Sequence, residues 1–191
     1  MDTTKQIATL PPLEELQGGV PLSRRTGEPR RPVVLALASV LLYLAVASAV
    51  GAYAWHWWMA AHPASYANSA WLISWTDPAP GTWLSLTLEV ALAAALALAA
   101  GAAGIAGFQA WNGWRWARWA GLVAAALMGG FMAITHWYAA VPVGLTALGA
   151  GLLFLPPVTR YFRHWTQVRA TRPAPYRRPG EIHYGRLARF R

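Results

Sequence analysis

Three side chains could do chemistry inside an otherwise apolar chain: Glu89, His136 and His56. Glu89 lies about six residues into an apolar run that begins near Trp83, roughly 9–10 Å along a helix rising 1.5 Å per residue. A carboxyl group at that depth in hydrocarbon costs up to about 2.5–3.5 kcal/mol on insertion scales, so it turns toward a bundle interior or a wet cavity and takes a partner. His136 and His56 stand at the ends of two other apolar runs. When the runs are threaded through a membrane, both histidines fall on the same side as Glu89.

Three uses of such a site follow. Glu89 could be protonated, or hydrogen-bonded to His136, Thr135 or a tryptophan N–H, and simply fasten helices together. It could hold a proton or cation in a small ion- or proton-coupled transporter. Or His56, His136 and Glu89 could bind zinc or copper, since two imidazoles and a carboxylate are an acceptable ligand set. No HxxxH or ExxH spacing supports the third use, so no metal ligand is assigned. Fastening is the expected role. His62 precedes Pro63 and reads as a surface residue, and His164 and His183 lie in a basic tail.

The elements that must position these groups are long and apolar. Crossing a hydrocarbon core of about 30 Å takes about 20 mostly apolar residues. Four such runs occur, at about 32–54, 83–110, 119–137 and 139–158. Helices are implied, because an apolar segment in lipid must satisfy its own backbone hydrogen bonds, and the alternation of a membrane barrel is missing. The expectation is an all-α integral membrane protein: a four-transmembrane-helix bundle with an aromatic-rich outer loop at 55–82. The domain at 32–159 is flanked by a flexible cytoplasmic tail at 1–31 and a basic cytoplasmic tail at 160–191. Pro142 suits the first turn of the fourth span, and Pro156-Pro157 should end or kink it.

Charge placement orients the spans. Short loops rich in Lys and Arg stay on the cytoplasmic side. Arg24, Arg25, Arg30 and Arg31 precede the first run, Arg115 and Arg118 lie between the second and third, and Arg160, Arg163 and Arg169 follow the fourth. The other two connections carry no Lys or Arg. This alternation requires an even number of spans with both termini inside, in a cell (inner) membrane; the alanine- and arginine-rich usage is that of a high-GC bacterium. Ala52-Tyr53-Ala54 resembles a signal-peptide cleavage site, but the long hydrophilic lead argues for a retained first span.

Composition narrows the function. Hydrophobic residues make up 56% and charged residues 12%, against about 25% charged in a soluble domain. The absence of cysteine excludes disulfides, Cys-ligated zinc, iron–sulfur clusters and thiol catalysis. The sequence holds no GxGxxG, Walker A, GxSxG or HExxH motif. No catalytic residue and no cofactor is therefore expected.

Aromatic residues and arginines mark the boundaries. Trp55, Trp57, Trp58, Trp71, Trp75 and Trp83 fall in or beside the outer loop, and Trp111, Trp114, Trp116 and Trp119 cluster at the opposite interface. Indole favours that layer, with its flat body apolar and its N–H wet. The outer set reads as an aromatic belt, or alternatively as a docking surface for another membrane protein. Asp77, in Asp77-Pro78-Ala79-Pro80-Gly81, reads as a turn residue. Residues 160–191 carry nine arginines and one glutamate, so +8 of the total +9. Arg160, Arg163, Arg169, Arg172, Arg177 and Arg178 are expected to contact anionic lipid or a partner subunit; no nucleic-acid motif accompanies them. The tail as far as about Arg169 should continue the fourth run as an interfacial helix. Small-xxx-small pairs such as Ala103/Gly107, Ala126/Gly130 and Ala147/Gly151 permit close helix packing. The expectation is a non-enzymatic multi-pass membrane protein, an accessory or assembly subunit of a larger membrane complex.

Overall fold

A computed structural model describes Ser23 and residues 28–170. The described residues are helical, with no strand. Six helices follow in order: α1 (Val33–Ala60), α2 (Trp71–Thr76), α3 (Trp83–Trp111), α4 (Ala117–Ile134), α5 (Ala140–Leu152) and α6 (Pro156–Ala170). Short 3-10 turns at Tyr66–Asn68 and Trp137–Ala139 precede α2 and α5. Helices α1, α3 and α4 are each long and apolar enough to cross a membrane. The stretch Trp137–Leu152 with Pro156–Ala170 makes a fourth candidate, bent by 61° at the break between α5 and α6. Helices α1 and α4 each pack on both α3 and α5, closing a ring.

Two expected boundaries need correction. The first run was placed at 32–54, yet α1 continues to Ala60 and takes up Trp55, His56, Trp57 and Trp58, which were assigned to the outer loop. The physical reason is that no helix breaker occurs before Pro63, whose ring disfavours the α region for His62. The fourth run, expected at 139–158, breaks after Leu152; Pro156-Pro157 open α6, and the 61° bend there is the kink expected near this proline pair. Proline is tolerated in a first helical turn because its missing N–H would be unpaired there.

The core is built mostly of alanine. One layer near α6 holds Leu35, Leu42, Leu153 and Phe162 with Ala106, Ala110 and Ala117; the next holds Met128 and Phe131 among Ala49, Ala99, Ala103 and Ala124. Small side chains let the backbones approach, so dispersion replaces the hydrophobic drive that lipid removes. Leu42 sits between Gly107 and Gly149. A Cβ on Gly149 would lie 3.0 Å from Leu42 Cγ and 3.2 Å from the Ala38 carbonyl oxygen. At the far end, Tyr66, Ala70 and Ile73 fold back from the 61–82 connection onto Leu92. Asp77 there adopts φ 43 at the C-cap of α2, its N–H donating to the Ile73 carbonyl oxygen at 2.9 Å. That is the geometry of a turn residue.

Candidate functional site

His56, one turn before the end of α1, is fully buried. Its Nε2 lies 2.8 Å from Oε2 of Glu89 on α3, and its Nδ1 lies 3.0 Å from the Ser69 carbonyl oxygen. A carbonyl oxygen only accepts, so Nδ1 carries the hydrogen and donates. One proton is then left for the Nε2–Oε2 contact. It makes either a neutral carboxylic acid donating to imidazole or an imidazolium donating to carboxylate, and the two forms differ only in which atom holds it. The Glu89 side chain is 15% exposed, and its Oε1 is buried with no hydrogen-bond partner among the described residues.

The loop is stitched into this pair. Tyr138 donates its hydroxyl to the same Ser69 carbonyl oxygen at 2.7 Å. Two residues on, the Trp71 N–H donates to the Thr135 carbonyl oxygen at 2.8 Å. The chain between α1 and α3 is thereby tied to α1 through His56 and to the α4–α5 connection through Tyr138 and Thr135. Burying the Ser69 carbonyl is tolerable because it is doubly satisfied.

His136 does not join the pair. Its ring stacks on Tyr138 (centroids 5.3 Å apart, planes 8° apart) and tilts against Trp71 at 5.0 Å. Its Nδ1 is buried without a hydrogen-bond partner among the described residues. Of the two histidines expected beside Glu89, His56 takes the bond; the alternatives weighed for it (His136, Thr135 or a tryptophan N–H) make no hydrogen bond to Glu89 among the described residues. The three groups do not converge as a ligand set, and among the described residues no cluster of three His, Cys, Asp or Glu side chains could hold a metal. The arrangement can share a proton and can tie α1 to α3.

No known family model, curated protein or solved structure matches the chain. Its site is therefore read from geometry alone.

The remaining singled-out residues lie apart from the pair. Trp55, Trp57, Trp58, Trp75 and Trp83 are exposed on the protein surface, whereas Trp71 is only partly so because it covers His136. Trp111 and Trp114 flank the α3–α4 turn at the opposite end. Arg160 and Arg163 are exposed on α6. Arg172, Arg177 and Arg178 lie outside the described residues.

One constellation at that opposite end was missed by sequence reasoning. Helix α3 ends with Gly113 at φ 74; the Trp114 N–H donates to the Gln109 carbonyl oxygen and the Gly113 N–H to that of Ala110, each at 3.0 Å. This double bond pattern closes a helix with a left-handed residue. Helix α6 folds back over it. Trp165 lies so close that a Cβ on Gly113 would come within 2.0 Å of its ring. Tyr161 donates its hydroxyl to the Trp111 carbonyl oxygen at 2.8 Å. Arg169 donates to the carbonyl oxygens of Gly113 and Asn112, placing a cation at the negative end of the α3 dipole. The Asn112-Gly113 dipeptide is a readable turn signal, but nothing local pairs it with residues some fifty positions later.

Proposed function

We propose that the chain is a non-enzymatic, four-span protein of the bacterial inner membrane with both termini cytoplasmic, serving as an accessory or assembly subunit of a larger membrane complex. In this reading α1, α3 and α4 cross the membrane, α5 with the start of α6 makes a bent fourth span, the rest of α6 lies along the cytoplasmic interface, and the His56–Glu89 pair lies in the outer leaflet. The pair then acts as a fastener between spans.

The observation that carries the reading is an outward stripe on α5. Ala140, Gly144, Ala147 and Gly151 recur at helical spacing and are all exposed. A Cβ on Gly144 or Gly151 would meet nothing within 4 Å. Gly149 on the same helix lies instead against Leu42, while Gly121 on α4 and Gly107 on α3 serve internal packing against Ala150 and Leu42. A smooth, backbone-exposing face suits close contact with another transmembrane helix. A Gly144→Leu/Ala147→Leu variant tests this, because the added side chains enter open space and leave the fold intact. It should abolish co-purification of a partner that the unaltered chain retains after mild solubilisation. An unaltered chain that is a solitary monomer at native expression refutes the reading.

A second reading, a small proton- or cation-coupled transporter, draws support from the single proton shared between Glu89 and His56. Glu89→Gln keeps the hydrogen bond and removes the titrating group. Unchanged proton or solute flux in vesicles would dismiss it.

A further inference from the structure

Where α6 folds back on the α3–α4 turn, it leaves a pocket of about 490 Å3 walled by Trp114, Trp116 and Trp119 with Arg115, Arg118 and Arg169. The pocket is held open by contacts already described. Arg169 is clamped between the rings of Trp114 and Trp165, 4.1 and 4.7 Å from their centroids. Its hydrogen bonds to the α3 terminus keep it there.

The other two cations have no such occupation. Neither Arg115 nor Arg118 has an ion-pair or hydrogen-bond partner among the described residues, whose ion pairs are Arg31–Glu28 and His56–Glu89. Arg118 Nε is buried and unpartnered while the guanidinium carbon sits 5.8 Å from the rings of Phe154 and Phe162. A partly buried guanidinium with a buried, unpartnered Nε, set beside the exposed Arg115, calls for an anion, and the fork geometry of both fits phosphate oxygens. The same wall includes the start of α4, whose N-cap residue Trp116 provides no side-chain cap. Indole rings around the rim match the layer where headgroups meet acyl chains.

We propose that this pocket binds the phosphate headgroup of an anionic phospholipid, with Arg115 and Arg118 engaging the phosphate and the tryptophans flanking the glycerol and upper acyl region. Such a lipid would bridge the α3–α4 turn to α6. The site rests on the reading that this end of the bundle lies at a membrane interface, but not on which side of the membrane it faces.

The test uses the full chain, delipidated in a neutral detergent, with binding followed by native mass spectrometry. The probes are phosphatidylglycerol, phosphatidylcholine and inorganic phosphate. Phosphatidylglycerol should bind at least tenfold more tightly than phosphatidylcholine, and inorganic phosphate at millimolar concentration should not displace it. Arg115→Gln/Arg118→Gln should weaken phosphatidylglycerol binding by about thirtyfold, as expected for two lipid-facing arginines. Arg160→Gln/Arg163→Gln removes two arginines of α6 that do not line this pocket and whose expected contact is with the lipid surface at large; it should weaken binding of a single lipid in detergent less than threefold. Equal losses in the two double variants, or equal binding of the two lipids by the unaltered chain, would overturn the proposal. Displacement by inorganic phosphate would show an anion site that does not select lipid, and would overturn it also. Helix content by circular dichroism verifies the fold of each variant. If the glutamine variant is unfolded, the lipid preference of the unaltered chain decides the matter. Tight lipid binding together with labelling that puts this end outside the cell would leave the lipid site standing and sink the proposed topology.

Discussion

Breaking the His56–Glu89 contact should loosen α1 from α3 by an amount that a double-mutant cycle can measure. His56 is fully buried and both its ring nitrogens are engaged, at 2.8 Å to Glu89 and 3.0 Å to the Ser69 carbonyl. Glu89→Leu strands Nε2 as a buried acceptor, a loss of about 1–3 kcal/mol. His56→Leu strands the carboxyl instead, while the Ser69 carbonyl keeps its bond from Tyr138; removing one partner of a buried pair costs about 3–5 kcal/mol in soluble proteins. Hydrogen bonds between membrane helices couple more weakly, averaging about 0.6 and reaching about 1.7 kcal/mol in cycles, because the unfolded helices also find partners in the membrane. The low exposure of this pair puts the expected coupling at the upper end of that range, about 1–1.7 kcal/mol. Glu89→Gln is the internal control: with Nδ1 donating to Ser69, Nε2 is free to accept from the glutamine amide, so the cost should stay under about 1 kcal/mol. The assay is reversible unfolding in mixed micelles by titration with an ionic detergent, on the unaltered chain, the two leucine variants and their double. A coupling below about 0.5 kcal/mol, or a glutamine variant as unstable as the leucine one, would refute the idea that the pair locks the helices.

Gly149→Val should destabilise the bundle by about 1–3 kcal/mol through overpacking, since even a Cβ there would crowd Leu42 and the Ala38 carbonyl, whereas Gly144→Val should leave the same unfolding curve unmoved. Gly113→Ala should cost at least about 1–2 kcal/mol from the left-handed backbone (φ 74) alone and displace Trp165 from its seat over Gly113, which would register as a change in tryptophan emission and faster proteolysis within α6; unchanged protection of α6 would argue against the docking. Because the chain contains no cysteine, Ala67→Cys offers a single thiol on an exposed position of the 61–82 connection. Under the proposed topology a membrane-impermeant maleimide labels it in intact cells, and labelling only after permeabilisation would invert the arrangement.

Composition and run length were enough to read an all-helical chain with several apolar helices, because the need for self-satisfied backbone hydrogen bonds leaves little else for such segments. That Glu89 would take a partner was legible for the same reason: it is the lone charge in its run, and a charge in such a run demands a partner. Which partner was not legible. His56 and His136 lie at comparable depth in the threading, and a linear sequence does not say which helix faces α3. Two things decided for His56: α1 stays helical to Ala60, so the imidazole projects from a rigid turn, and the chain near Ser69 folds back to hold its other nitrogen. Thr135 and His136 were instead drawn to Trp71 by one backbone hydrogen bond and one ring contact. The docking of α6 had no local signature at all. Gly113 marks a turn in any context, and only the 61° bend after α5 brings Trp165 and Arg169 back over it. Long-range contacts of this kind depend on the angles between helices, which packing sets and residue spacing does not encode.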